Sequence, residues 1–450
     1  MNKNKKIGII SLGCDKNRVD TENMLTYLGN AGFSFTNNPS EANIIIINTC
    51  AFISSARNEA IETIQEMLDY KKTGICERII VTGCMPQKYL PVLQKQFPDV
   101  DIYLGIDQYP DIAKIIAQSY KDPKQITLIG NADTINYVQN RKITTPKHYA
   151  YLKIADGCNN YCTFCTIPYI RGAYRSVPMD KLIEEATFLV ENGAKELILV
   201  AQDVTKYGID LYGEIKLVQL LKELTKIKKL KWLRLLYAYP ESVTDELIHE
   251  IRTNNKICKY LDIPLQHVSD NVLKLMNRHI TSGKIQELVT KLNQAKPQIY
   301  IRTTFMVGFP GEIESDHKQL CNFIKKNKLM HIGFFEYSKE EGTVAAKMQN
   351  QVPDPIKHKW LSELIKLAEN NIHHNNKSLV GEITECFVED YDEMKDLCVG
   401  RTKFQAPEVD TMIYFKANQP LKIGDLKKIK ITGSIENDLK GELLWIYQTN

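Results

Sequence analysis

The chain has 450 residues, 43% of them hydrophobic and 25% charged, with a formal net charge of +4. That length predicts about three domains with core enough to fold without disulfide staples, and the mix excludes disordered and fibrous classes. The longest apolar runs, Ile44 to Ile47 and Leu197 to Ala201, are too short to span a bilayer. The basic start Met1 to Lys6 leads into a strand-like Ile7 to Ser11 and not into the apolar core of a signal peptide, so a cytoplasmic protein is expected. Eleven cysteines, an odd number without a secretion signal, argue for reduced thiols and metal over a disulfide framework.

From the N-terminus, short apolar runs alternate with amphipathic helical patterns. Ile7 to Ser11 precedes a helix expected around Thr21 to Ala31, and Ile44 to Ile47 precedes one around Ser54 to Tyr70. Ile79 to Val81 precedes a helix after Pro86, and Asp101 to Leu104 leads to one near Asp111 to Ser119. This βαβ rhythm predicts a parallel sheet with covering helices. Each of the first three strands runs into a cysteine, Cys14, Cys50 and Cys84. Ligands of open parallel sheets bind beyond the carboxyl ends of the strands, so these thiols can converge although 36 and 34 residues separate them. The reading favoured is a three-thiolate cluster; the alternative is three small buried residues at loop starts. Cys76, Cys258, Cys321, Cys386 and Cys398 show no such grouping and are expected to be packing residues. Asn131 to His148, with Thr144-Thr145-Pro146, reads as a linker.

Then comes Cys158-Asn159-Asn160-Tyr161-Cys162-Thr163-Phe164-Cys165, three thiols set four and three residues apart. Such a loop can hold three irons of a 4Fe-4S cubane and leave the fourth open to a small molecule, as a catalytic zinc keeps one position open. A zinc knuckle or inert buried thiols are the alternatives, and zinc would want a fourth Cys or His that Thr166 to Ser176 does not supply. Strands are expected before the loop at Tyr149 to Ala155 and after it at Glu196 to Ala201, Trp232 to Tyr237, Tyr260 to Pro264, Tyr300 to Val307 and His331 to Tyr337, with helical patterns between them. Six units predict a partial (β/α)6 barrel, TIM-like and open on one side, whose function sits at the C-terminal strand ends. Gln202, Asp203, Tyr239, Gln266 and His267 occupy such ends, and Gly308 to Glu312 would let backbone approach a ligand. A helix over Ile356 to Asn371 closes this part. Five short strand-like runs, Ile383 to Val388, Leu397 to Thr402, Thr411 to Phe415, Leu426 to Thr432 and Leu443 to Tyr447, then predict a small OB-like β-barrel.

The Cys-x3-Cys-x2-Cys loop after a first barrel strand, with Phe164 before its last cysteine, resembles the radical S-adenosylmethionine (SAM) enzymes. Ser11 to Asn17, the settings of Cys50 and Cys84, Arg171-Gly172 and Arg302 to Glu312 narrow the resemblance to the methylthiotransferases. Ala201 to Gly213, Lys259 to His267, Gly400 to Thr402 and Ala406 to Asp410 look like the RimO branch. The resemblance implies an α/β chain in three parts, an N-terminal methylthiotransferase domain (1–140), a radical SAM barrel (141–377) and a C-terminal TRAM domain (378–450). It implies two 4Fe-4S clusters, one on Cys158, Cys162 and Cys165 that binds SAM, the other on Cys14, Cys50 and Cys84. Gln202, Gln266, Arg302, Gly308 and Phe164 are the SAM contacts it suggests. The activity implied is methylthiolation of the β-carbon of an aspartate in ribosomal protein S12, with a flavodoxin or ferredoxin as reductant.

TRAM modules often bind RNA, and an RNA-binding surface is expected to be basic. Residues 378–450 carry 9 Lys/Arg against 13 Asp/Glu, a net −4, with Glu389, Asp390, Asp392, Glu393 and Asp396 clustered. That charge suits a basic protein partner better than tRNA. The rivals are a methylthiotransferase acting on tRNA adenosine and, from another class, an iron-sulfur electron carrier with an RNA-binding tail.

Overall fold

The computed structural model describes residues 5–122, 124–417 and 420–444. Its first unit is a six-stranded, all-parallel sheet in the order β2-β1-β3-β4-β5-β6. The strands are β1 (Lys6–Ser11), β2 (Ser34–Phe35), β3 (Ile44–Thr49), β4 (Arg78–Gly83), β5 (Ile102–Leu104) and β6 (Ile126–Leu128). Helices α1 (Asp15–Asn30), α2 (Ser54–Thr73), α3 (Cys84–Gln96) and α4 (Ile112–Ser119) cover it. The run Ile44 to Ile47 is apolar throughout because β3 is central and buried on both faces. Ile45, Ile47, Ile79 and Val81 face α2 and α3, while Ile44, Ile46 and Ile80 face α1 and α4. Two departures bear on function: α1 begins at Asp15, right behind Cys14, and α3 begins at Cys84 itself, not after Pro86. Strands β2 and β6, two and three residues long, carry too little periodicity to be read from sequence.

Residues 131–148 hold no helix or strand. The barrel strands are β7 (Tyr149–Lys153), β10 (Glu196–Val200), β11 (Trp232–Leu235), β12 (Tyr260–Asp262), β13 (Tyr300–Val307) and β14 (His331–Glu336). All pair in parallel, in two three-stranded sheets joined by one bridge from Leu233 to Ile257. A small antiparallel pair, β8 (Ala155–Asp156) with β9 (Arg175–Ser176), closes the base of the cysteine loop around α5 (Ile167–Arg171). Helices α6 (Met179–Glu191), α7 (Ile209–Tyr212), α8 (Leu217–Thr225), α9 (Asp245–Thr253), α10 (Asp270–Leu275), α11 (Ser282–Gln294) and α12 (Glu314–Lys326) lie between the strands. The 26-residue α13 (Asp354–Leu379) follows the last strand. Side chains alternate along each strand: Ala150, Leu152, Leu197 and Leu199 pack under the helices, while Tyr149, Tyr151, Ile198 and Trp232 point inward.

What those inward residues meet is the C-terminal unit, a closed barrel in the order β15-β16-β17-β19-β18. Its strands are β15 (Ile383–Asp392), β16 (Leu397–Thr402), β17 (Ile413–Lys416), β18 (Leu426–Ile435) and β19 (Asp438–Leu443). Phe387 lies 4.3 Å, centroid to centroid, from Trp232. Buried ion pairs lock the contact: Glu196 meets Arg234 at 2.7 Å and Arg401 at 2.5 Å, and Glu389 meets Arg401 and His148 at 3.0 Å each. Glu389 is therefore part of an interior network and not of an exposed acidic patch; Asp390, Glu393 and Asp396 are exposed. The fifth strand expected at Leu443 to Tyr447 is replaced by β19, which ends at Leu443, and residues 445–447 lie outside the described residues, as do 1–4 of the basic start. No helix among the described residues is long and apolar enough to cross a membrane.

Candidate functional site

Strands β1, β3 and β4 are neighbours running in one direction, so they deliver Cys14, Cys50 and Cys84 to one edge of the sheet. A Cβ on Gly13 would stand 2.6 Å from Cys50 Cβ and 2.9 Å from its Sγ, and the left-handed φ of +87° at Gly13 turns the chain so closely there. Asn17, in the first turn of α1, ties the strand ends: its Nδ2 donates to Leu12 O at 3.0 Å and Thr49 O at 3.1 Å. Burial pushes the Cys50 thiol up and the Cys84 thiol up to about 12, with Cys14 adding to both and Arg171 opposing.

The second trio is local. Gly157, at φ +77°, lets the chain pass so close to Ala173 that a Cβ would sit 2.1 Å from its carbonyl oxygen. Thr163 fastens the middle of the loop, its Oγ1 donating to Leu275 O at 2.8 Å and its backbone N–H to Met276 O at 3.1 Å. Asn160 donates to Asp203 Oδ2 at 3.0 Å, which gives that strand-end carboxylate a loop-positioning task. Cys162 Sγ lies 3.7 Å from Tyr239 Oη, at a cavity of about 130 Å³ shared with Asn160, Lys206 and Arg278. Burial pushes the Cys158 thiol up to about 11 and raises that of Cys165.

Between the trios runs a buried charge network that sequence reasoning did not assemble. Arg171 Nη1 donates to Asp20 at 2.7 Å and Asp156 at 3.0 Å; Lys153 Nζ donates to the same two carboxylates at 2.5 and 3.1 Å. Two cations face two carboxylates, so the charges balance. Burial works against the charge on Asp156, but Arg171 and Lys153 overcome it and hold its carboxyl well below the usual range. The signal available was Lys153 and Asp156, charged residues framing an otherwise apolar stretch.

The individual contacts expected in the barrel fare differently. Gln202 Nε2 donates to Asp156 Oδ1 at 2.9 Å, and its Oε1 is buried with no partner among the described residues. Gln266 stands at φ +69°, its backbone bridging to Thr304 and Met306, and its Oε1 is likewise orphaned. Phe164 packs edge-on to Phe309 at 6.2 Å. Arg302, in contrast, meets Asp262 at 2.9 Å and Asp410 at 3.1 Å, so its guanidinium helps bind the C-terminal barrel. Gly308 faces Lys357, whose Cγ would lie 2.3 Å from an added Cβ; its glycine serves packing against α13. His267 is fully buried, accepting from Ser269 N at 3.0 Å and facing Glu312 at 3.4 Å, the carboxylate that also accepts from the N–H groups of Gly308 and Phe309.

Of the other cysteines, Cys76, Cys258, Cys386 and Cys398 are buried. Cys321, half-buried, joins His317 and Glu363 in the one group among the described residues whose candidate donor atoms all lie within 4.8 Å, where the His317 ring stacks on Trp360. Neither cysteine trio closes to that span, so neither is a ready cage for one zinc, whose bonds to sulfur run to about 2.3 Å. Each trio offers three cysteine sulfurs, two of them buried, that a metal's charge would deprotonate, a donor set that fits an iron-sulfur cluster.

Residues 6–105 match the Uncharacterized protein family UPF0004, 152–324 the Radical SAM superfamily and 380–444 the TRAM domain. The chain is 43% identical over 436 residues to the ribosomal protein uS12 methylthiotransferase RimO of Clostridium tetani, covering 97% of each. It is 46% identical over 439 residues to the protein of the same name from Thermoanaerobacter sp., covering 97% of this chain and 100% of that one. Among solved structures it resembles the radical SAM methyltransferase TsrM from Kitasatospora setae, with TM-score 0.54 and 11% identity over 73% of this chain and 72% of that one. It also resembles the cobalamin-dependent radical enzyme OxsB, with TM-score 0.53 and 12% identity over 81% of this chain and 56% of that one. These two likenesses show a shared fold.

Proposed function

This chain belongs to the RimO family of radical SAM methylthiotransferases, and from that premise we propose that it adds a methylthio group to the β-carbon of an aspartate in ribosomal protein uS12. The observation that carries the reading is the presence of two separate thiol trios, one on each side of the buried network of Asp20, Lys153, Asp156 and Arg171. Activating an inert C–H bond and delivering sulfur are different tasks and call for two centres. When bound, the cluster on Cys158, Cys162 and Cys165 with SAM supplies a carbon-centred radical, and the cluster on Cys14, Cys50 and Cys84 supplies the methylthio group.

The chain's own residues orient these parts. Asp203 and Asn160 hold the cysteine loop in place. Gln202, with one amide end fixed on Asp156 and the other unpartnered, and Gln266, with its buried free oxygen, supply polar groups for the amino acid end of SAM. Phe164 and Phe309 supply an apolar wall for the adenine. Exposed Asp390, Glu393 and Asp396 on the C-terminal barrel favour a basic protein partner. A flavodoxin or ferredoxin-type protein supplies the electron.

The test is anaerobic incubation of cluster-loaded protein with SAM, reductant and either uS12 or tRNA. A mass gain on uS12 equal to SCH3 replacing H is the expected result. Modified tRNA beside unmodified uS12 would overturn the substrate assignment.

A further inference from the structure

Away from the two trios, the molecule brings a ring nitrogen, a thiol sulfur and a carboxylate oxygen together on two helices. His317 and Cys321 stand four residues apart on α12, so their side chains share one face of it. Glu363 comes from α13, which packs along α12. His317 Nε2 lies 2.9 Å from Glu363 Oε2 and 3.4 Å from Cys321 Sγ, and the three donor atoms all fall within 4.8 Å of one another. Zinc bonds of about 2.0–2.2 Å to nitrogen or oxygen and about 2.3 Å to sulfur set tetrahedral donors roughly 3.3–3.6 Å apart, a span within side-chain rotation of this arrangement.

The histidine is held for the task. It is buried, and its ring stacks on Trp360 at 4.9 Å with 9° between the planes, which fixes the direction of Nε2. Nδ1 is buried with no hydrogen-bond partner among the described residues, so the polar contacts of the ring all fall at Nε2. One ring nitrogen has a single in-plane place for a proton or a lone pair. A proton there serves Glu363 and leaves nothing to accept the Cys321 S–H; a lone pair accepts from Cys321 and is set against the carboxylate. A divalent cation ends the conflict, because imidazole nitrogen, thiolate and carboxylate all offer it lone pairs.

We propose that His317, Cys321 and Glu363 form a zinc site that clamps α12 to α13, with water in the fourth position on the side where Glu363 is exposed. Imidazole and thiolate select zinc over magnesium or calcium, which take oxygen ligands. Helix α13 leads into β15, so the clamp sits on the connection between the central and C-terminal barrels. No residue of either trio takes part, and the site stands or falls independently of the two-cluster reading.

The test uses the untagged, full-length, iron-loaded chain, given one equivalent of zinc chloride and then desalted. Retained zinc is counted by inductively coupled plasma mass spectrometry, and its ligands are read by absorption at the zinc K-edge, where iron does not interfere. The expected result is about one zinc per chain, with one sulfur at about 2.3 Å and nitrogen or oxygen at about 2.0–2.2 Å. Zinc should also raise the thermal midpoint, since it binds the folded chain. Cys321→Ala and Glu363→Gln should each keep their iron and lose both the zinc and the zinc-dependent rise; Glu363 is exposed, so its exchange spares the fold. Zinc held without sulfur, zinc held through two or more sulfurs, no zinc in the parent, or equal retention in parent and variants would each overturn the site.

Discussion

The two thiol trios are built in opposite ways. Cys158, Cys162 and Cys165 lie within eight residues of chain, on a loop pinned at its base by a short β pair and in its middle by Thr163. Cys14, Cys50 and Cys84 come from three crossovers and meet only because β1, β3 and β4 are adjacent in one sheet. The first can form wherever the loop folds; the second exists only when the whole N-terminal sheet does. A contiguous site is therefore protected by local backbone geometry, and a dispersed one by bonds between elements.

The largest expected effect tests whether the trios divide the chemistry. Cys162→Ala should abolish 5′-deoxyadenosine formation and with it all product. Cys50→Ala should abolish the methylthio product yet leave deoxyadenosine formation in place, both read by mass spectrometry of one reaction mixture. Loss of deoxyadenosine in Cys50→Ala would collapse the division.

The glycines beside the trios sharpen the contrast. Both Gly13 and Gly157 have positive φ, worth about 1–2 kcal/mol against alanine. What an added Cβ meets differs: at Gly157 it is the Ala173 backbone carbonyl at 2.1 Å, at Gly13 the Cys50 side chain, Sγ at 2.9 Å. Backbone cannot step aside, so Gly157→Ala should cost on the order of 3 kcal/mol and lower the thermal midpoint. Gly13→Ala should spare more of the fold but turn Cys50 away, seen as a loss of about half the iron from an otherwise folded protein.

How much of this was legible follows the same divide. The cysteine loop could be picked out from its spacing alone, because the three thiols are neighbours in sequence. The strand-end thiols could be read because βαβ order predicts where parallel strands end. What stayed hidden depended on side chains meeting across domains: Arg171 reaching Asp20 and Cys84, Arg302 spent on Asp410, Glu389 turned inward to Arg401. Charge counted along the chain treats Glu389 as surface, and only the docking of the small barrel on Trp232 and Tyr149 explains its burial. The packing at Gly308 was hidden for a like reason, since the atom that would crowd a Cβ there belongs to α13, 49 residues on.

Asn48 tests the dispersed trio through the bonds that assemble it. Its Nδ2 donates to Asn17 O and to Thr21 Oγ1, both at 2.9 Å, joining β3 to the helix that follows Cys14. It is fully buried, so Asn48→Ala removes two buried hydrogen bonds, a loss of about 2 kcal/mol. Iron at the N-terminal trio should fall with it, while deoxyadenosine formation at the barrel is kept.

Thr163→Val is the matching change in the contiguous trio and should do least. Valine keeps the shape and removes one hydroxyl whose bond to Leu275 O, at 2.8 Å, is only partly buried, a cost of about 1 kcal/mol. The backbone still holds the loop: Thr163 N–H donates to Met276 O at 3.1 Å, Cys165 N–H to Cys162 O at 2.9 Å, and Thr163 O accepts from Ala345 N–H at 2.9 Å. Iron content and deoxyadenosine yield should therefore stay near the parent's while the thermal midpoint drops slightly. A loss of barrel iron as deep as the loss of N-terminal iron in Asn48→Ala would mean that the loop depends on its side-chain bonds as heavily as the sheet does, and that contiguity in sequence confers no protection.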